Sequence, residues 1–276
     1  MARFRMLSEN FLNIHQFGAH TITASTYQGG NEPWRVGTGR RSDRNAWISP
    51  TTGTQWVKVT CDQVRAADTL ALDRGHNLAS VSVQFTNSTA AGWTTAKTIT
   101  LPSASFSNLS MTDGCRTPEG AYVQQFATST NTPAAKFWRL SCATTAGAKV
   151  KVVGAYLGKS FSPSANALRP WDDEMIEMQR AEVASPELWT AASQVASRRI
   201  GSVNVRLTES EADQARYHVG DLYWRGELAW ITPNENDAQR TVLATAPSGA
   251  RGMAYPGEWP TRVLSLEWAE HQPKPR

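Results

Sequence analysis

Gln55-Trp56-Val57-Lys58-Val59-Thr60-Cys61, followed closely by Asp68-Thr69-Leu70-Ala71-Leu72-Asp73-Arg74-Gly75-His76-Asn77-Leu78, decides the reading of this chain. Apolar and polar residues alternate in the first run, the period of a strand with one buried face. The second run is short and apolar and ends in a polar Arg-Gly-His-Asn turn. Val81-Ser82-Val83-Gln84-Phe85, a polar loop and Trp93 come next. Working outward, residues 22–25, 98–101, 121–126, 137–142 and 150–157 read as further strands, separated by Gly, Pro, Asn or Ser. Frequent short strands with turn signals imply an all-β sandwich or barrel over residues 1–160. No amphipathic helix separates them, which argues against a parallel α/β sheet.

Residues 158–170, rich in Ser, Pro and Asn, read as a linker, so a second unit is expected over residues 161–276. Trp171-Asp172-Asp173-Glu174-Met175-Ile176-Glu177-Met178 fits a strand edge or a short helix equally. Gly201-Ser202-Val203-Asn204-Val205-Arg206-Leu207 alternates as a strand, and Thr208-Glu209-Ser210-Glu211 matches a capping box. A helix over about 209–219 should follow, stopped by Gly220. Residues 228–232, 240–245 and 262–268 read as strands. The expected fold class is all-β dominated, with one short helix in the second unit.

With 276 residues and 40% hydrophobic content, the chain is long enough for two cores and is not of disordered composition. Its 28 basic and 24 acidic residues are well mixed, and the net charge of +4 lacks the clustering of a nucleic-acid footprint. No apolar run reaches membrane-spanning length, and the N-terminus has no signal-peptide core. Synthesis in a cytoplasm is expected. Cys61, Cys115 and Cys142 form neither a metal spacing nor an even disulfide set, and read as buried free thiols.

Nothing in the chain spells catalysis. His15, His20, His76, His218 and His271 form no metal pair at helical spacing. There is no Walker loop, dinucleotide fingerprint or nucleophile elbow. Gly37-Thr38-Gly39-Arg40-Arg41 lacks a strand–helix setting and reads as a turn, and Asp172-Asp173-Glu174 reads as a solvated edge. No catalytic residue, cofactor or metal is assigned, and the protein is expected not to be an enzyme. Two polar clusters are candidate contacts to a ligand or a subunit. Asp73, Arg74, His76 and Asn77 form one, for which a hydrogen-bonded turn is the competing reading. Arg41 and Trp47 belong to the other, which a loop packing Trp47 over the sandwich explains equally well.

The first half resembles discoidin-like, galactose-binding-like jelly-roll modules. The resemblance rests on Trp56-Val57-Lys58-Val59, Asp68-Thr69-Leu70-Ala71-Leu72, the segment from Val81 to Trp93, Phe137-Trp138-Arg139-Leu140, and Val153-Gly154-Ala155-Tyr156-Leu157 as the closing strand. The paired terminal cysteines of extracellular discoidin domains are missing. With Arg74-Gly75-His76-Asn77-Leu78, the chain is similar to structural proteins of tailed-bacteriophage tails, and the second half is similar to distal-tail and tail-tube β-sandwich units. That resemblance implies a virion protein at the tail tip or baseplate, made in the host cytoplasm, with copies of itself and other tail proteins as partners. Trp224, Trp230, Trp259 and Trp268 would then be interface anchors. The alternative it leaves open is a carbohydrate-binding module that recognises host surface glycan.

Overall fold

The computed structural model describes residues 3–39, 45–88, 92–101, 111–117, 120–128, 130–145, 147–165, 167–184, 189–247, 253–254 and 262–271, the side chains of 167–198, 239, 253–254 and 262 excepted. The strands of the first part are β1 (Arg5–Leu7), β2 (Thr21–Ala24), β3 (Trp47–Thr52), β4 (Gln55–Ala66), β5 (Thr69–Leu72), β6 (Leu78–Thr86), β7 (Thr94–Thr100), β8 (Cys115–Arg116), β9 (Tyr122–Gln125), β10 (Ala134–Thr144), β11 (Lys149–Val152) and β12 (Ala155–Gly158). The later strands are β13 (Ala167–Ala184), β14 (Trp189–Leu207), β15 (Ala229–Thr232), β16 (Val242–Thr245), β17 (Met253–Ala254) and β18 (Arg262–Glu270), with helix α1 (Glu209–Ala215) between β14 and β15. The fold is all-β, and every strand pairing is antiparallel.

Two sheets make a jelly-roll sandwich, a five-stranded one in the order β2-β4-β10-β6-β7 and a four-stranded one in the order β12-β5-β9-β8. Alternation in β4 and β10 sends Val57, Val59, Cys61, Trp138, Leu140 and Cys142 into the space between them. Leu70, Leu72, Tyr122, Ala155 and Leu157 meet them from the other sheet. Residues 150–157, expected as one strand, are two. β11 pairs with β3, and β12 pairs with β5. The break falls at Val153-Gly154, where the chain passes Asp73 so closely that a Cβ on Gly154 would lie 3.0 Å from the Asp73 Cβ.

The third sheet has seven strands, in the order β1-β15-β16-β18-β14-β13 with β17 alongside β18. Its first strand comes from the N-terminus, so the chain opens in the later sheet, enters the jelly roll and returns. The return is not a free linker. Ser160 N donates to Asp68 Oδ1 at 2.8 Å, and Phe161 exchanges backbone hydrogen bonds of 2.9 and 2.8 Å with Met6. Phe161 is buried with Phe4 and Met6, which is why this Ser- and Pro-containing stretch is ordered. Leu7, Trp230, Ala238 and Leu243 cover the outer face of the four-stranded sheet, meeting Ala71, Cys115, Val123 and Tyr156. Tyr156 and Trp230 touch edge to face, their centroids 5.9 Å apart.

The capping box forms as expected: the Thr208 backbone N–H donates to Glu211 Oε2 at 2.8 Å, and the Thr208 hydroxyl accepts from the Glu211 N–H. Gly220 does not stop the helix. α1 runs on through a π-helical segment, Arg216–Leu222, and a short 3-10 turn, Tyr223–Arg225, to Gly226 at φ +100°. Val219, Leu222 and Tyr223 are buried, so packing carries the helix past Gly220, and the left-handed stop is six residues later. The segment 171–178 is strand, within β13.

Candidate functional site

Because β4 and β10 turn alternate residues inward, the residues between them form the outer face of the five-stranded sheet. Trp56 and Lys58 on β4 and Phe137 and Arg139 on β10 are all half-buried there. The register sets Arg139 opposite Lys58 on one side and opposite Gln84 of β6 on the other. Trp93, just before β7, lies against this face, with the Arg139 guanidinium 4.3 Å from its ring centroid. Lys58 Nζ lies 5.9 Å from the Trp56 ring, and Arg139 Nε donates to Gln84 Oε1 at 2.6 Å. Together with Thr86 and Ser88, these side chains line a groove of about 160 Å³. Burial draws the Arg139 guanidinium below its ordinary value. Among the described residues, no Asp or Glu lines the groove.

Three aromatic rings, two cations and two hydroxyls on a rigid sheet can hold a ligand with an apolar ring face and a polar edge. A wider depression of about 460 Å³ opens between Phe85, β7 and the segment 125–133. Its two rings, Phe85 and Phe126, pack against the sandwich core, and Phe85 lies 5.5 Å from Trp138. The outer groove therefore offers more to a ligand, although it is smaller.

The residues singled out from sequence are placed elsewhere. Asp73 is buried, and its Oδ1 accepts from the Arg74 N–H at 2.8 Å. Asn77 spans β11: its amide donates to Lys149 O at 2.7 Å and its Oδ1 accepts from Lys151 N at 2.8 Å. His76 Nδ1 accepts from Leu78 N at 3.3 Å, and burial, helped by Arg116, pulls its pKa down to about 4. With Gly75 at φ +90°, these side chains satisfy the backbone of a tight turn. Arg74 remains half-buried at its edge.

Trp47 opens β3 and is wholly buried, its indole donating to Thr26 O at 3.0 Å, so it is a core residue with no face for a ligand. Arg41 lies outside the described residues, as does Trp259. Trp230 and Trp268 are buried within their own chain at 2% and 1% exposure, which leaves neither a surface to present to another copy. Trp224 is half-buried against the second core. Asp172, Asp173 and Glu174 lie on β13, with their side chains outside the described residues.

Cys61, Cys115 and Cys142 are free and buried, and burial raises the thiols to about 12, 11 and 12. Buried His218 shares a 3.0 Å hydrogen bond with Ser8 Oγ and stacks on Phe161, and burial followed by Lys159 pulls it down to about 4. Among the described residues, no three His, Cys, Asp or Glu side chains converge as a metal site, and no helix is long and apolar enough to cross a membrane.

No protein-family model and no curated protein matches the chain. Among solved structures it is similar to a chitosan-binding module of a Paenibacillus chitosanase/glucanase, at 19% identity and a TM-score of 0.39, over 54% of this chain and 96% of the module. It is also similar to a family 32 carbohydrate-binding module from Clostridium perfringens in complex with galactose, at 12% identity and a TM-score of 0.36, over 50% of this chain and 92% of the module. A third is a Ruminococcus gnavus fucosidase in complex with fucose, at 13% identity and a TM-score of 0.41, over 56% of this chain and 27% of the enzyme. None of these three is a tail protein.

Proposed function

We propose that this chain is a non-catalytic carbohydrate-recognition protein whose jelly roll binds sugar in the outer-face groove. The observation that carries the reading is the convergence of Trp56, Trp93 and Phe137 with Lys58 and Arg139 on one open sheet face. Pyranose rings offer apolar C–H faces to such rings and hydroxyls to such donors. Glycoside hydrolysis needs two carboxylic groups flanking the scissile bond, and none lines this groove among the described residues. The test is a glycan array probed with the full chain. Trp56→Ala and Trp93→Ala should each weaken binding by about tenfold or more. Arg74→Ala, at one of the two polar clusters singled out from sequence, should leave binding unchanged. The reverse pattern would move the site to the turn.

A second reading, assembly within a phage tail tip or baseplate, is supported by the ribbon β13–β14. β14 pairs with β18 only from Ile200 to Leu207, so among the described residues 175–184 and 189–199 run on as two strands alone. Such a ribbon reaches on the order of 30 Å at 3.3 Å per residue, and two strands by themselves are marginal in water. Edge β13 carries no further strand among the described residues. Copies of this chain closing that edge in a ring would bury it. Regular rings in electron micrographs of the purified chain would support this, and a monomer at every concentration tested would refute it.

A further inference from the structure

Taken as the sugar subsite, the groove carries a charge pattern that narrows its ligand. Lys58 and Arg139 are direct partners across β4 and β10, and like charges directly opposite in a ladder are destabilising. Neither meets a carboxylate among the described residues. Arg139 holds Gln84 through Nε and stacks on Trp93, which leaves its Nη groups without a partner among the described residues, where Lys58 meets the Trp56 ring alone. Three other buried or partly buried arginines are neutralised, although half-buried Arg74 is not among them. Arg5 reaches Glu235 at 2.9 Å, Arg35 reaches Glu32 at 2.6 Å, and Arg65 reaches Glu9 at 3.2 Å and Asp62 at 3.0 Å. Among the described residues, two uncompensated cations thus stand side by side on a face that also presents aromatic rings. An anion bound between them relieves the repulsion, and a guanidinium recognises a planar carboxylate through paired N–H groups.

We propose that the groove takes a carboxylate-bearing sugar, a uronic or sialic acid unit, with its carboxylate between Lys58 and Arg139 and its ring against Trp56 and Phe137. This rests on the carbohydrate reading above. The test is calorimetric titration of the full chain with trigalacturonate, trisialic acid, the methyl esters of both, a neutral galactose trisaccharide and polyglutamate. The free acids should bind about tenfold or more tightly than their esters, a margin that narrows as salt is added. Lys58→Gln and Arg139→Gln should each bring that ratio toward one while ester binding persists. Should Arg139→Gln fail to fold, Lys58→Gln gives the same reading alone. Esters or the neutral trisaccharide binding as well as the acids would overturn the acid preference and leave the sugar reading standing. Binding of none of the saccharides would overturn both. Polyglutamate binding as tightly as the acids, and unaffected by Trp56→Ala, would also overturn both, because it would mark a charge patch indifferent to sugar.

Discussion

In the five-stranded sheet, alternate residues of β4 and β10 reach solvent, whereas every residue of β5, β9 and β12 in the four-stranded sheet is buried. The same sandwich therefore contains one sheet used on a single face and one used on both. The difference lies in what covers them. β1, β15 and β16 of the third sheet lie over the four-stranded one, with Trp230 against Tyr156 and Leu243 in the shared cluster. Only the other sheet is left with a face on which Trp, Phe, Lys and Arg can meet a ligand. An open aromatic position on it is thus informative, where the same residue on the covered sheet would be core.

The largest test of this contrast compares two tryptophans on opposite sides of the five-stranded sheet. Trp138 is wholly buried, and Trp138→Ala should cost about 3–5 kcal/mol in denaturant unfolding. Trp56→Ala, on the open side, should cost under about 1 kcal/mol while weakening sugar binding. Equal losses would mean that the outer face is packed and the groove is not free.

Acid should act mainly through groups held between the layers. His218 ordinarily titrates near 6.5 and is held at about 4 in the fold, so the unfolded chain binds its proton more readily. Its contribution is fully present above about pH 6.5 and is lost as pH falls toward 4, by up to about 3 kcal/mol. His76 acts in the same direction, also from about 4. Urea unfolding followed from neutral to acidic pH should show this slope, flattened in part by His218→Gln. An unchanged slope would mean that the ring is reached by water.

A finer probe is Ala71→Ser, which places a hydroxyl on the covered face of β5. It should cost about 1–3 kcal/mol, whereas Ser82→Ala, on the open face of β6, should stay within about 0.5 kcal/mol. Modest effects are expected at the helix ends. Thr208→Ala should cost about 1 kcal/mol through the lost cap, and Gly226→Ala about 1–2 kcal/mol through the left-handed backbone. A comparable loss at Gly220 would place the helix stop there after all.

The strands of the sandwich were legible because alternation and burial coincide in β4, β6 and β10. β5 was found as a short apolar run, and its double coverage explains why it does not alternate. β3 was hidden by Pro50, Gly53 and their threonines, which read as loop. The length of β13 and β14 was missed because residues 171–199 show no period of either kind. The helix stop was misplaced because a glycine in sequence carries no mark of whether a left-handed turn or a buried face governs it. The groove was missed although its residues were quoted as strands. The available signal was that the outward positions of β4 and β10 hold Trp, Lys, Phe and Arg where a plain solvent face would carry Ser or Thr. Trp47 and the Asp73 turn drew attention through polar density, which a satisfied turn and a binding rim share.

The backbone exchange between Met6 and Phe161 has a consequence for how this molecule can vary. The chain departs from and rejoins the seven-stranded sheet at a single point, so residues 8–159 form an excursion whose two ends are already fastened together. Lengthening or exchanging loops within it does not alter the distance that the flanking chain must bridge. Loops can therefore diversify on one side of that clasp while the register on the other stays constant.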